Sequence, residues 1–363
     1  MPHKQRGVEC ASCDVYDPAP RRVAIVKLAA VGDVLRTTSF LPGIRRMFQD
    51  ARVDWLTQHA AVSLFEGNPL VDGVHATDGT VLPALLAATP FDVVICPDAD
   101  PVTAALAAGL SLRDGGQRIG FGFEDGHVVP LSDAARHWYL LGLSDARKKA
   151  NQETYQNLVG AVVGLPLPVQ DRPVFVVSAG ERARAQAWLG SCDGGHGRPL
   201  VGLNTGAGRR WPRKQWTLDG QVGLIRFLDE RGYRVVLLGG PEEVERHRAL
   251  VASAPAGACL DAGNDNTLRD FAARLDLCEL LVTGDTMALH LGCALAKPIV
   301  ALFGPTSSAE IELYGTGTKV FAEQLDCLVC YSTCDRTPSC QELISLDMVL
   351  AALIPQLEAV HNR

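Results

Sequence analysis

Short apolar runs alternate with segments of helical periodicity along nearly the whole chain, and past a proline-rich stretch the alternation starts again. Few architectures bury such a pattern. A run of four or five apolar residues has to be covered on both faces, which is the situation of a parallel strand with helices packed on either side. The first unit shows this clearly. Residues 23–26 (VAIV) read as a buried strand, a small-residue turn ends in Gly32, and Val34, Leu35, Phe40, Leu41 and Ile44 lie on one helical face. Further strands are expected at 53–57, 71–75, 91–96 and 118–123, with helices at 60–66, 82–88, 101–110 and 151–163. After the connection at 165–173 (LPLPVQDRP), strands are expected at 200–204, 233–238, 280–283 and 299–303, with helices at 218–230, 268–274 and 288–295.

The 363 residues exceed what one core usually holds, so two domains are expected. The division is a 1–22 extension, an α/β domain over 23–170, a second over 171–325, and a cysteine-rich loop with a final helix over 326–363. Two Rossmann-like, doubly wound domains that face each other put the carboxyl-end loops of both sheets on a shared cleft, where a ligand is expected. The net charge of −7 argues against a general nucleic-acid binder. Nothing is apolar enough over sufficient length to span a bilayer, and residues 1–19 lack an apolar leader segment, so a cytoplasmic protein with at most peripheral membrane contact is expected.

Asp33 stands at the first strand-to-helix junction, where an acid is either a helix N-cap or a catalytic group. Three loops of the second half bear on that choice. Residues 204–216 (NTGAGRRWPRKQW) directly follow a strand. Thr205, Gly206 and Gly208 let backbone close on an anion, and Lys214 with Arg209, Arg210 and Arg213 supplies charge for a diphosphate. The other reading is a glycine-rich turn with a solvated basic loop. In GGPEE, Glu242 and Glu243 are placed either to accept from ribose hydroxyls or to start a helix. In GDTMALH, Asp285 and Thr286 can cap a helix whose N-terminus receives a phosphate, and His290 lies about one turn on. Gly304-Pro305-Thr306 closes the same rim. A diphosphate held there gives Asp33, across the cleft, the role of base toward an acceptor hydroxyl.

These residues resemble glycosyltransferase family 9, the lipopolysaccharide heptosyltransferase family. The likeness rests on KLAAVGDVLRTTSFLPGIRR, VDWLTQ, FDVVIC and RIGFGF in the first half. In the second half it rests on GLNTGAGRRWPRKQW, YRVVLLGGPEE and VTGDTMALHLGCALAKPIVALFGPT. The resemblance implies a GT-B fold and an inverting glycosyltransferase that needs no catalytic metal. It also implies a nucleotide-sugar donor, typically ADP-heptose, in the second domain. It implies Asp33 as base, Thr205 and Lys214 on the phosphates, Glu242 or Glu243 after the Gly-Gly turn, and a donor loop of Asp285, Thr286 and His290. Lys214 would also stabilise the charge on the departing diphosphate. Met287 stands where the family usually has glycine, and Val31 where Ser or Leu is common. The acceptor, a glycan, a protein or a small molecule, is not named by any motif. A GT-B epimerase or hydrolase, and a non-catalytic nucleotide-sugar-binding scaffold, are the alternatives.

Eleven cysteines are many for a reducing compartment, and six are grouped. Cys327, Cys330, Cys334 and Cys340 fall within one short segment, and Cys10-x2-Cys13 forms a second knuckle. Four thiolates suit a closed, structural zinc or iron site. Either the tail binds an ion alone, or each knuckle gives two ligands and the termini are stapled. The stapled arrangement is compatible with a GT-B final helix that returns to the first domain. These termini mark the chain as a distinct branch of the family it resembles.

Overall fold

The computed structural model describes residues 7, 9, 20–78, 88–193, 197–207, 214–331 and 336–361. Two six-stranded sheets organise it. The first contains β1 (Arg22–Val26), β2 (Arg52–Thr57), β3 (Gly73–Ala76), β4 (Phe91–Cys96), β5 (Leu112–Glu124) and β6 (His127–Pro130), in the order β3-β2-β1-β4-β5-β6. The second contains β7 (Leu200–Asn204), β8 (Arg234–Leu238), β9 (Cys259–Asp261), β10 (Leu280–Gly284), β11 (Ile299–Leu302) and β12 (Gly317–Val320), in the order β12-β11-β10-β7-β8-β9. Every pairing is parallel except β5 with β6. The central strands β1, β7, β8, β10 and β11 are buried almost throughout, as helices on both faces require.

In each sheet the strand order reverses once, between β1 and β4 in the first and between β7 and β10 in the second. Crevices open at such switch points, beyond the carboxyl ends of the strands. Asp33 and Asp98 follow β1 and β4, whereas Thr205 and Asp285 follow β7 and β10. The topology therefore gathers four separated segments into two facing crevices.

Several expectations change in detail. β5 is longer than the strand expected at 118–123, and it turns into β6 through Asp125-Gly126, both at positive φ (49° and 81°). That two-residue loop is the hairpin turn an Asp-Gly pair favours. The helix expected at 151–163 begins at Tyr155, because the Thr154 hydroxyl accepts from the Asn157 N–H (3.3 Å) and caps it there. Helices Asp133–Leu143, Asp145–Ala150 and Ala179–Asp193, and strands β9 and β12, are additional, and the helix Val244–Ser253 follows the start offered by Glu242 and Glu243. Most of the helix expected at 82–88 lies outside the described residues. The final helix, Leu346–His361, does not return to the first domain. It packs on β11, β12 and the helix Leu218–Asp229, burying Val349, Leu353 and Leu357 in the second core. No helix among the described residues is long and apolar enough to cross a membrane.

The two halves are joined by more than the chain. The Tyr155 N–H donates to the Glu310 carbonyl (2.9 Å), and Gln156 Nε2 to the Tyr314 hydroxyl (3.0 Å). The buried Arg269 donates to the Ser63 carbonyl (2.8 Å), the Val176 carbonyl and the Glu181 carboxylate.

Candidate functional site

The carboxyl ends of β7, β8 and β10 surround a cavity of about 450 Å³. Leu268, Phe271 and Met287 make an apolar wall, and Gly206, Gly239, Gly240, Glu243, Asn266 and Thr286 supply polar groups and bare backbone. A flat apolar wall beside polar backbone suits a nucleoside joined to phosphates. At Gly206 a Cβ would come within 2.9 Å of the Glu243 carboxyl carbon, so a side chain there would have to push that carboxylate aside. The helix Met287–Ala294 starts at this cavity. Its N-cap, Thr286, makes no side-chain cap, which leaves first-turn N–H groups and the positive dipole end directed at the space.

Of the two glutamates after the Gly-Gly turn, Glu243 lines the cavity and Glu242 is exposed. Glu243 also accepts from the Gly240 N–H (2.8 Å) within the short Pro241–Glu243 turn, so the helix-start and cavity readings meet in one residue. Lys214 Nζ donates to the Asp285 carboxylate (2.8 Å) and the Asp285 carbonyl (2.9 Å). An ammonium has three donors, so with these two partners among the described residues a third can meet a ligand. Burial works to raise the Asp285 pKa, but Lys214, together with its neighbours, outweighs it and holds the carboxylate below its usual value.

Thr205 departs from the expected role. Its hydroxyl is buried behind the cavity wall, 2.9 Å from His247 Nε2 and 3.3 Å from the Leu238 carbonyl. His247 Nδ1 in turn lies 2.7 Å from Asp261. The hydroxyl thus braces the ends of β7, β8 and β9 instead of reaching into the cavity. Gly208, Arg209, Arg210 and Arg213 lie outside the described residues.

Facing this cavity, the first domain presents a cluster of charges. The helix Val31–Thr37 begins one turn earlier than expected, with Ala30 as N-cap and Asp33 third in the helix. Asp33 is therefore not the N-cap; its carboxylate accepts from the Ala30 N–H instead. Its side chain is 39% exposed and pairs with Arg36 Nη2 at 2.9 Å. Burial would raise the Asp33 pKa, yet Arg36 and Lys27 prevail and keep the carboxylate ionised below its ordinary range. The buried Lys27 donates to both Asp98 oxygens (2.8 Å each) and to the Ala29 carbonyl (2.7 Å). The Asp98 carboxyl is raised, because burial outweighs the pull of Lys27.

His290 lies where the two sides meet. It is buried, and a Cβ on Gly32 would approach its ring within 3.2 Å, so glycine permits the close contact of the two helix starts. Burial, then Arg36, pushes the imidazole down to about 4, which leaves it neutral at physiological pH. Met287 spans from cavity to cleft, its Sδ lying 3.7 Å from the same Gly32 Cβ position. The structure thus brings Asp33, Lys214, Gly206, Glu243, Asp285, Thr286, Met287 and His290 around one cleft. Lys27, Arg36, Asp98, Tyr155 and Glu310 were missed in the sequence. A lysine directly after a buried strand was one available signal, since buried lysines need partners. The i,i+3 spacing of Asp33 and Arg36 was another.

The cysteines gather less closely. Cys327, Cys330 and Cys340 are partly buried, Cys327 against Arg336 and Cys340 beside Gly304. Among the described residues no three His, Cys, Asp or Glu side chains form a metal-ligand group. Cys10, Cys13 and Cys334, which belong to the expected ligand sets, lie outside the described residues.

Residues 124–340 match the profile of the family described as Glycosyltransferase family 9 (heptosyltransferase). Lipopolysaccharide heptosyltransferase 2 of Salmonella typhimurium is 32% identical over 113 residues, 30% of this chain and 32% of that protein. The chain thus spans about a third of the length of that relative. Lipopolysaccharide heptosyltransferase 1 of Escherichia coli K12 is 25% identical over 325 residues, 82% of this chain and 92% of that one. The solved structure of E. coli ADP-heptose lipopolysaccharide heptosyltransferase II superposes with a TM-score of 0.68 at 20% identity, covering 94% of this chain and 99% of that one. At that identity the likeness is one of fold: two Rossmann-like domains in the GT-B arrangement.

Proposed function

The chain belongs to glycosyltransferase family 9, the heptosyltransferase family, and from that premise we propose that it transfers heptose from ADP-heptose to an acceptor hydroxyl with inversion. The observation that carries the reading is an ionised carboxylate, Asp33, facing a nucleotide-sized cavity that ends at a helix N-terminus. The nucleoside lies along Leu268 and Phe271, with Glu243 toward the ribose. The diphosphate meets the backbone at Gly206, the start of the helix Met287–Ala294 and the remaining Lys214 donor. As the glycosidic bond to phosphate breaks, those groups stabilise the charge left on ADP. Asp33 takes the proton of the acceptor hydroxyl while its oxygen attacks the anomeric carbon from the face opposite ADP. The neutral His290 and the Met287 side chain narrow the passage between the two sites and exclude water from it.

ADP-heptose is the donor named for the E. coli structure of the same fold. The related enzymes are named for lipopolysaccharide, and a lipopolysaccharide acceptor is the corresponding proposal here. The test is transfer from ADP-heptose to a core-deficient lipopolysaccharide acceptor, followed by mass spectrometry, for the wild type and Asp33→Asn. Removing the base is expected to cost about 10²–10⁴-fold in rate. Release of free heptose without acceptor, at the wild-type transfer rate, would instead identify a hydrolase.

A further inference from the structure

Arg36 takes part in none of the steps above, yet it touches the proposed base directly. We propose that Arg36 is a positioning residue for the transfer reaction, aiming the Asp33 carboxylate into the cleft and keeping it charged through their ion pair. The proposal rests on the reading of Asp33 as base.

The geometry is that of a fixed cation holding a movable anion. The Arg36 guanidinium carbon lies over the Tyr155 ring, 3.7 Å from its centroid, within cation–π range. Tyr155 is itself clamped: its hydroxyl is 2.7 Å from Thr37 Oγ1, its ring stacks with Phe40 (6.0 Å) and meets Trp138 edge-on (5.8 Å). Arg36 is 15% exposed and Asp33 39%, so the cation is anchored in protein while the carboxylate stays open to the cleft. A surface i,i+3 pair achieves little, because solvent screens it and two mobile side chains have to be ordered. Here the packing of Tyr155 has already ordered one partner.

Among the described residues no neighbour can replace it. Lys27 is the other lysine or arginine acting on Asp33 there, but its ammonium is engaged by both Asp98 oxygens and the Ala29 carbonyl. Across the cleft Arg36 is faced by Glu310 and Asp285, and by the neutral ring of His290. Asp285 is paired with Lys214, and Lys148 lies near Glu310, which leaves Arg36 to Asp33. A lysine at position 36 would supply charge without the planar guanidinium or its directed N–H pair.

The experiment is the pH dependence of kcat/KM for Arg36→Gln and Arg36→Lys, with ADP titration and thermal unfolding as controls. Loss of the cation raises the pKa of Asp33, so in Arg36→Gln the acid limb should move up by about one pH unit. Arg36→Lys should return the limb toward its wild-type position while kcat stays about tenfold low, from lost aim. An acid limb that moves equally in both variants, or in neither, overturns the proposal. If Arg36→Gln does not fold, Arg36→Met is read in its place by the same criterion. Failure of the base reading is seen separately, as transfer retained by Asp33→Asn.

Discussion

The two faces of the cleft are made in different ways. The second domain builds its face largely from main chain, with glycines at the ends of β7 and β8 and a helix start, beside the single pair Lys214–Asp285. The first domain builds its face from ion pairs, Lys27 with Asp98 and Arg36 with Asp33. A diphosphate carries its own charge and asks for donors at fixed spacing, which backbone supplies. Proton transfer asks for one group at a chosen charge state, which neighbouring charges supply. The two faces should therefore fail differently when altered.

The largest effect is expected on the charged face. Lys27→Met leaves the Asp98 carboxylate without its buried partner, and unfolding free energy should fall by about 3–5 kcal/mol, read by urea titration. A variant as stable as the wild type would show that the pair is not integral to the fold.

On the donor face the damage should be to binding. Gly206→Ala forces the Glu243 carboxyl aside, and the donor KM should rise about tenfold, equivalent to one lost charge-assisted hydrogen bond, with kcat nearly unchanged. A fall in kcat at constant KM would erase the distinction between the faces. His247→Ala removes the brace on Thr205 and should cost about 1–3 kcal/mol of stability together with a smaller loss of ADP affinity. Rescue of both by His247→Gln, measured by calorimetry, would show that the hydrogen bond to Thr205 is what counts.

The last effect lies at the domain junction and depends on pH. Arg269 depresses Glu181 from 4.5 to about 2, so that pair stabilises the fold fully above about pH 4.5 and progressively less toward pH 2. The melting temperature of Glu181→Gln should lie below the wild type by a constant margin down to about pH 4.5. Below that the two curves should converge.

The same contrast explains what could be read in the sequence. Gly206, Glu243, Asp285 and Thr286 are local signals, glycines and caps immediately after apolar runs, and the fold brings them together as expected. The charged face has weaker local signs, a lysine just after a buried strand and the i,i+3 spacing of Asp33 and Arg36, and its other partners are distant in sequence. Lys27 meets Asp98 across 71 positions, through the strand order β1 beside β4, and Thr37 meets Tyr155 across 118, where the end of one helix meets the start of another. Thr205 differs for a related reason: the partner that turns its hydroxyl away, His247, lies 42 residues on, in the helix Val244–Ser253 that follows the Glu242-Glu243 start. Asp33 was placed correctly at the cleft, but the helix starts before it and its capping contact is with Ala30.

The most direct test of this division of labour is a pair of measurements on Asp33→Asn: ADP-heptose affinity by calorimetry and heptosyl transfer by mass spectrometry. The account predicts affinity within about twofold of the wild type and transfer reduced at least a hundredfold. Near-normal transfer, or ADP-heptose binding lost together with transfer, would contradict it.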